Sequence, residues 1–393
     1  MTSSRTLCLT WALSSLFGYG IYGLQIALQF LREGGGKLIL THEAGPLHMP
    51  LFAQLRLAGP VAAAAKIAAF IKNNPAETAR FDGPALFAVG NDGRGYEGQN
   101  RVRGTFNVGC AAIEEAAFSN HGREVLRTYD SLIAISRWNE AYLRSLNVAP
   151  VHLCYQGIDA TLFHPGPSSG LMQDRFVVFS GGKFEFRKGQ DIVVAAFKRF
   201  REKHPEALLV CAWQSMVPPD GEAFALAGLV DDVPTLEQGT MQIGAWLNRE
   251  GLPPDSFLEL PFLHNMTLPP VLRDCDIALF PNRCEGGTNL VAMEAMACGV
   301  PTFVAANTGQ KDLIDAFGAF SLGEGRPVVV PPRLHGTDAW RETSVDAVVA
   351  ALEDVYVARA AYRARALPIA DAVRAWDWPR QNERLLRVVF QDA

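Results

Sequence analysis

The chain lacks any close pairing of cysteines. Its 7 cysteines, Cys8, Cys110, Cys154, Cys211, Cys275, Cys284 and Cys298, are scattered, odd in number and without a CxxC pair, which excludes a disulfide frame and a cysteine-based zinc site. It also lacks a long Lys/Arg run, and its formal net charge is -5, so the electrostatic footprint of a nucleic-acid-binding protein is missing. No solenoid-type repeat and no low-complexity tract is present, which removes the repeat architectures. No stretch of ~18 uninterrupted apolar residues occurs, so a membrane span is not expected. The opening segment imitates a secretory leader, because Arg5 precedes an apolar run. Gly18, Gly20 and Gly23 break that run, and a helical pattern leading into another strand follows. A folded βαβ start is therefore expected, with reduced thiols and a cytoplasmic location.

What is present points to two lobes. A chain of 393 residues, 49% hydrophobic and 20% charged, exceeds one ordinary core and suits two domains. The first half alternates apolar runs (TLCLTWAL, KLILT, ALFAVG, RGTFNVG, SLIAIS, VHLCYQGID) with helical patterns at Ile21 to Glu33 and Val61 to Lys72. Alternation of this kind implies a parallel sheet covered on both faces. The Pro-, Gly- and Ser-rich stretch Phe163 to Gly170 reads as a linker. Beyond it the alternation restarts with RFVVFS, ALLVCAW, FLELPF, DIALFP and PTFVAA, and Ser344 to Arg363 and Leu367 to Phe390 read as terminal helices. The expected class is α/β, with two doubly wound Rossmann-like domains over residues 1–163 and 164–369. Ligands of such sheets bind outside the carboxyl ends of the strands.

Two loops after strands carry chemistry. In FSGGKFEFRKGQD, Gly181 and Gly182 allow close backbone approach while Lys183, Arg187 and Lys188 place positive charge beside a helix N-terminus. A phosphate group fits there, and so does a solvated basic turn. The helix dipole disfavours three cations at that end, so an anion is expected to offset them. In LFPNRCEGGTNLVAMEAMACGVP, Glu285 sits in the loop, Gly286 and Gly287 permit close approach, and a helix starting near Thr288 and Asn289 ends with Gly299 before Pro301. Glu294 lies inside that helix, where a carboxylate can accept two hydrogen bonds from vicinal hydroxyls. An exposed helical Glu is the alternative, but flanking by Ala292, Met293, Ala295 and Met296 argues for burial.

Both loops resemble those of the retaining GT-B glycosyltransferases of the large glycogen-synthase- and sucrose-synthase-like group, glycosyltransferase family 4 type, which includes bacterial polysaccharide mannosyl- and glucosyltransferases. That group has Gly-Arg, four residues, Lys-Gly in the first loop. Gly182, Lys183, Lys188 and Gly189 match it, with Lys183 in place of Arg. The second loop of the group has Glu, seven residues, Glu, whereas eight residues separate Glu285 from Glu294. Either a one-residue bulge restores Glu285, or a backbone amide near Gly286 takes over. The resemblance implies two Rossmann-like domains facing each other across a cleft, with a C-terminal helix at about 370–393 crossing back to the first. It implies that Lys183 and Lys188 hold a nucleotide sugar's diphosphate, that Glu285 binds the donor sugar, that Glu294 binds the ribose, and that Gly182, Gly286, Gly287, Thr288 and Asn289 line the donor site. A UDP- or GDP-hexose donor, an unknown acceptor (glycan, lipid-linked glycan or small molecule) and neither metal nor cofactor follow from it. In the first half, Glu114, Asp130, Ser136 and Gly157-Ile158-Asp159 with Phe163 and Pro165 match the same group.

The first half adds Gly18-Tyr19-Gly20-Ile21-Tyr22-Gly23, a GxGxxG placed between a strand and a helix, with Glu43 after the next strand. That arrangement supports a rival NAD-dependent oxidoreductase. A third reading is a non-catalytic sugar-binding relative. On the preferred reading Gly18, Tyr19, Gly20, Glu114 and His121 face the acceptor, although packing between helix and sheet suits Tyr19 and Tyr22 better than stacking on a sugar. The triplet Asp274-Cys275-Asp276 imitates a metal-binding DxD, but it precedes its strand and is expected to be structural. The Ala-rich helix with Arg56, Lys66 and Lys72 is a candidate for peripheral contact at the inner face of a membrane.

Overall fold

The computed structural model describes residues 5–34 and 36–392. The chain divides into two compact units, one made of Met1–Gly157, His264–Met266 and Trp376–Ala393, the other of Ile158–Leu263 and Thr267–Ala375. The division comes at Gly157, ahead of the Phe163 to Gly170 stretch that composition marks as a linker.

The first unit holds a six-stranded sheet of β1 (Thr6–Leu9), β2 (Lys37–Leu40), β3 (Ala85–Val89), β4 (Asn107–Ala111), β5 (Ser131–Ala134) and β6 (Val151–Leu153). Their order is β2-β1-β3-β4-β5-β6, and every pairing is parallel, for example Cys8 opposite Ala85 and Leu132 opposite Val151. Leu7, Cys8 and Leu9 are fully buried, as a parallel strand covered on both faces must be. Four helices join these strands: α1 (Gly18–Arg32), α2 (Leu51–Asn73), α3 (Asn120–Leu126) and α4 (Arg137–Leu146).

Three expectations shift here. The strand expected over TLCLTWAL stops at Leu9, and Trp11 continues as buried coil whose indole N–H donates to the Tyr19 carbonyl at 2.8 Å. Helix α1 starts at Gly18, ahead of Ile21, so the GxGxxG glycines are helical residues and do not form a phosphate turn. A Cβ on Gly20 would press on Ser14, and one on Gly23 on the Trp11 indole, so these glycines serve close packing. Helix α2 starts at Leu51, well before Val61, and carries Pro60 inside it. The buried line Leu57, Ala64 and Ile71 runs across the proline, so tertiary packing overrides a local breaker. This helix is the one among the described residues that is long and apolar enough to cross a membrane by length and composition.

The chain's last helix, Trp378–Phe390, also belongs to the first unit. Its Trp378 stacks on Tyr22 at 6.0 Å and its Phe390 on Phe30 at 5.8 Å. The single helix expected over Leu367 to Phe390 is broken. Asp377 caps the last helix by accepting from the Arg380 amide at 2.9 Å, and Pro379 occupies its first turn. A side-chain cap followed by proline is a start signal that outweighs continuous apolar spacing.

The second unit holds β7 (Phe176–Gly181), β8 (Ala207–Ala212), β9 (Phe257–Glu259), β10 (Ile277–Phe280), β11 (Thr302–Val304) and β12 (Phe320–Ser321), in the order β9-β8-β7-β10-β11-β12 and all parallel. Counted along this unit the order is third, second, first, fourth, fifth, sixth, the doubly wound arrangement whose crevice opens between the first and fourth strands. Those strands are β7 and β10. Helix α5 (Gln190–Arg201) follows β7 and α6 (Leu290–Ala297) follows β10.

Candidate active site

The loop leaving β7 is shaped by two glycines in the left-handed region, Gly182 (φ +117°) and Gly189 (φ +70°). A Cβ on Gly189 would collide with the Pro281 carbonyl, so this residue lets the β7 and β10 loops touch. Between them a 3-10 turn, Phe186–Lys188, turns the chain into α5.

The charges of this loop form an alternating chain. Lys183 Nζ lies 2.7 Å from Glu185 Oε1, Arg187 Nη2 lies 2.6 Å from Glu185 Oε2, and Arg187 Nη1 lies 3.3 Å from Glu285 Oε2. Lys188 Nζ pairs with Glu285 Oε1, which also accepts from the Asn282 side-chain amide. Burial lowers the Lys188 ammonium from its ordinary value, and Glu285 works in the opposite direction. Burial alone would raise Glu185, but Arg187 and Lys183 overcome it and hold this carboxyl at about 2. The anion expected to offset the three cations is thus partly supplied by the protein, with two carboxylates against three positive side chains. One positive charge remains in the cluster.

The second loop presents Glu285 to this cluster. The Glu285 amide donates to Thr308 Oγ1 at 2.8 Å, and the Gly309 amide donates to the Glu285 carbonyl at 2.9 Å. Ahead of α6, Asn289 adopts φ +70°. Asn289 caps α6 by accepting from the Ala292 amide at 3.4 Å, while its own Nδ2 is buried without a hydrogen-bond partner. Thr288 is fully buried, with its hydroxyl 3.0 Å from Met293 Sδ. Glu294 is 5% exposed within α6, as its apolar flanks predict, and Gly299 (φ +76°) closes the helix. Lys183, Lys188 and Glu285 are therefore brought into one network, with Gly182, Gly286, Gly287, Thr288 and Asn289 in the two loops that carry it.

Arg283 is the residue the sequence did not announce. Its guanidinium is fully buried, bonds both Asp191 oxygens at 2.8 and 2.7 Å and Glu342 at 2.9 Å, and lies 4.0 Å over the Phe186 ring. It donates to the Phe186 carbonyl at 2.8 Å, and its backbone amide donates to the Arg187 carbonyl at 2.7 Å. One side chain thus fixes the 3-10 turn that carries Lys188 to the loop that carries Glu285. The only sequence signal was an arginine inside an apolar strand-end segment, and its partner Asp191 lies far away along the chain.

In the first unit, the Tyr19 hydroxyl donates to the carbonyls of Val89 at 2.9 Å and Cys110 at 3.0 Å, and burial raises its pKa well above the ordinary value. Tyr19 thereby ties the ends of β3 and β4, and Tyr22 is buried against Trp378, so both serve packing. Glu114 follows β4, its amide donating to Asn91 Oδ1 at 2.8 Å. His121 is exposed on α3, and Gly18 is exposed at the start of α1. Asp130 accepts from the Asn107 amide at 2.7 Å and Ser136 caps α4, so those two matches have structural duties. Asp274 accepts from Ser168 and Ser169, and Asp276 from the Val177 amide at 2.8 Å, which engages both carboxylates of the DxD-like triplet in the fold. Sequence reading missed a group formed by Ser15, His48 and His264. Ser15 Oγ lies 2.7 Å from His264 Nδ1, and the two imidazoles stack at 4.9 Å.

Comparison with known proteins places this geometry. Residues 263–385 match the family described as GT4-conflict, Family 4 Glycosyltransferase in conflict systems. That span includes the Glu285 loop and α6 but not the Lys183 loop. Over its full length the chain is similar in structure to sucrose-phosphate synthase from Thermosynechococcus elongatus, with TM-score 0.65, 16% identity and 98% of each chain covered. It is similar also to Anabaena HepE in complex with UDP and glucose, with TM-score 0.60, 15% identity, and 98% and 99% covered. The fold is GT-B, and the chain is GT4-like. In sequence it is 28% identical over 277 residues to D-inositol 3-phosphate glycosyltransferase 1 of Catenulispora acidiphila, covering 67% of this chain and 58% of that protein. The chain spans about half the length of the curated relatives it matches.

Proposed function

We propose that this GT4-like chain is a retaining glycosyltransferase that moves a hexose-type sugar from a UDP- or GDP-sugar to an acceptor hydroxyl in glycan or glycoconjugate synthesis. The observation that carries the reading is the network of Lys183, Glu185, Arg187, Lys188 and Glu285 at the carboxyl ends of β7 and β10. A cation cluster beside a helix start, in the crevice of a doubly wound sheet, suits a diphosphate.

On this reading the donor's diphosphate takes over Lys188 and Lys183, which stabilise negative charge as the sugar–phosphate bond breaks. Glu285, released from Lys188, accepts hydrogen bonds from the donor sugar, and Glu294 accepts them from the ribose. Loop amides at Gly286, Gly287, Thr288 and Asn289 line the same site. Attack of the acceptor from the face the diphosphate leaves gives retention without a strong side-chain base, and charge on the leaving group is met by side chains. Cytoplasmic activity at the inner face of a membrane, on a glycan, lipid-linked glycan or small-molecule acceptor, completes the proposal. The rival NAD reading loses its support, since Gly20 and Gly23 are packed inside α1 against Ser14 and Trp11. The deciding experiment is a thermal-shift and turnover panel of UDP- and GDP-sugars with product anomer analysis. Stabilisation by NAD alone, or no stabilisation by any nucleotide sugar, would remove the reading.

A further inference from the structure

Asn289 is an expensive residue where it stands. It enters α6 at φ +70° and ψ +91°, a left-handed conformation that glycine adopts at less cost than asparagine. A residue capping a helix start ordinarily sits in extended backbone, and the cap made here, from the Ala292 amide to Asn289 Oδ1, is long at 3.4 Å. The residue is only 6% exposed, and its Nδ2 finds no hydrogen-bond partner among the described residues. A buried N–H group left unmet carries its full desolvation penalty. Glycine would serve this backbone as well or better and lose little of the cap. The side-chain amide therefore has a use that the protein's own atoms do not supply.

Its surroundings name that use. The first amides of a helix have no intrahelical partner and form the positive end of its dipole, and the first turn of α6 holds no acidic side chain. That turn lies against the lysine loop, since a Cβ on Gly181 would come 2.8 Å from Val291 Cγ1. In the same loop Lys188 Nζ lies 3.8 Å from where a Cβ on Gly182 would sit. Lys183 stands where the resembling group has arginine, but its side chain is half exposed and paired with Glu185. An N–H group can meet only an acceptor, and between a helix start and a buried lysine that acceptor is an anionic oxygen.

We propose that Asn289 Nδ2 donates a hydrogen bond to a diphosphate oxygen of the nucleotide sugar. Lysine lacks the bidentate fork of arginine, and Asn289 supplies the second, directed N–H that Lys183 cannot. The inference rests on the donor reading of the previous section and deepens it. It requires a ligand that brings an anionic acceptor to the start of α6, which a nucleoside diphosphate does and a nucleoside does not. The bond strengthens as charge gathers on the departing diphosphate.

The test is calorimetry of the full chain, Asn289→Gly and Asn289→Asp with UDP and GDP, and with uridine and guanosine. Glycine suits φ +70° and is itself an accepted cap, so the melting temperature of Asn289→Gly should match or exceed that of the unaltered chain. Its affinity for UDP or GDP is expected to fall about ten- to hundredfold. Aspartate keeps the shape and the cap but sets a carboxylate against the phosphates, so Asn289→Asp should stay folded and lose at least as much affinity. Nucleoside affinity should be the same in all three. Combined with Lys188→Ala, the losses should be non-additive, because both side chains meet one diphosphate. Unchanged diphosphate affinity in either variant, a loss shared equally by the nucleosides, or a loss that follows a lowered melting temperature overturns the assignment and leaves the donor reading standing. Absence of UDP and GDP binding by the unaltered chain removes that reading and this inference together.

Discussion

Arg283 and Asp191 meet through two hydrogen bonds of 2.8 and 2.7 Å with both side chains fully buried. The pair joins the β10 loop to the first turn of α5, and the Phe186 ring beneath the guanidinium adds a cation–π contact at 4.0 Å. Breaking one side of a buried ion pair leaves the other charge uncompensated. Arg283→Met is therefore expected to cost about 3–5 kcal/mol, because the buried Asp191 loses its partner while Glu342 keeps only Arg326. Urea unfolding measures this, and a loss under about 1 kcal/mol would show that the two loops are held otherwise.

Lys188→Ala tests the leaving-group role. Removing one stabilising cation from a water-poor site is expected to lower turnover about 10²–10³-fold, with the melting temperature little changed, since Glu285 keeps Asn282 and Arg187. Steady-state transfer assays decide it, and near-normal turnover would exclude Lys188 from the chemistry.

Glu294→Ala tests the ribose assignment. Loss of a charge-assisted hydrogen bond is expected to weaken UDP or GDP binding by about 1.5–3 kcal/mol. Calorimetry on the free nucleotides isolates this from the sugar, and unchanged affinity would return Glu294 to a packing role.

The acid limb of stability should report Glu185. Its folded-state value of about 2 lies below the ordinary 4.5, so its contribution is full above pH 4.5 and drains away as the pH falls towards 2. Glu185→Gln removes that contribution. The stability gap between the two proteins, from urea midpoints across this range, should close as the solution is acidified, and a gap independent of pH would contradict the ion-pair network.

Gly309→Ala probes the backbone that positions Glu285. A Cβ there would lie 2.8 Å from the Glu285 carbonyl oxygen and press on the Gly287 backbone, neither of which can rotate away. An overpacking cost of about 1–3 kcal/mol is expected, together with weaker nucleotide-sugar binding. Crystallography of the variant should show the Glu285 loop displaced.

The features legible in the sequence were those written locally. The strand before Gly181 and the one ending at Phe280 announced themselves by apolar runs. Lys188 and Glu285 stood out because glycines and charges after a strand have few structural uses, and the structure joins them. Local spacing misled at Gly18, Gly20 and Gly23, where close packing against Trp11 and Ser14 leaves the same mark as a phosphate turn. It misled again at Pro60, where a breaker signal is overridden by Leu57, Ala64 and Ile71. Arg283 with Asp191, and His264 with Ser15, were out of reach, because each pair depends on which distant segments the sheets bring side by side.

The placement of the helix Trp378–Phe390 has a consequence for the order of synthesis. Tyr22 and Phe30 find their stacking partners Trp378 and Phe390 only after the whole second unit has been made. Domains ordinarily complete themselves from the N-terminal end as the ribosome proceeds. In this chain the second unit can close on its own residues while the first still shows an uncovered aromatic face. A fragment cut after Gly157 would inherit that face permanently, and should be the half that aggregates.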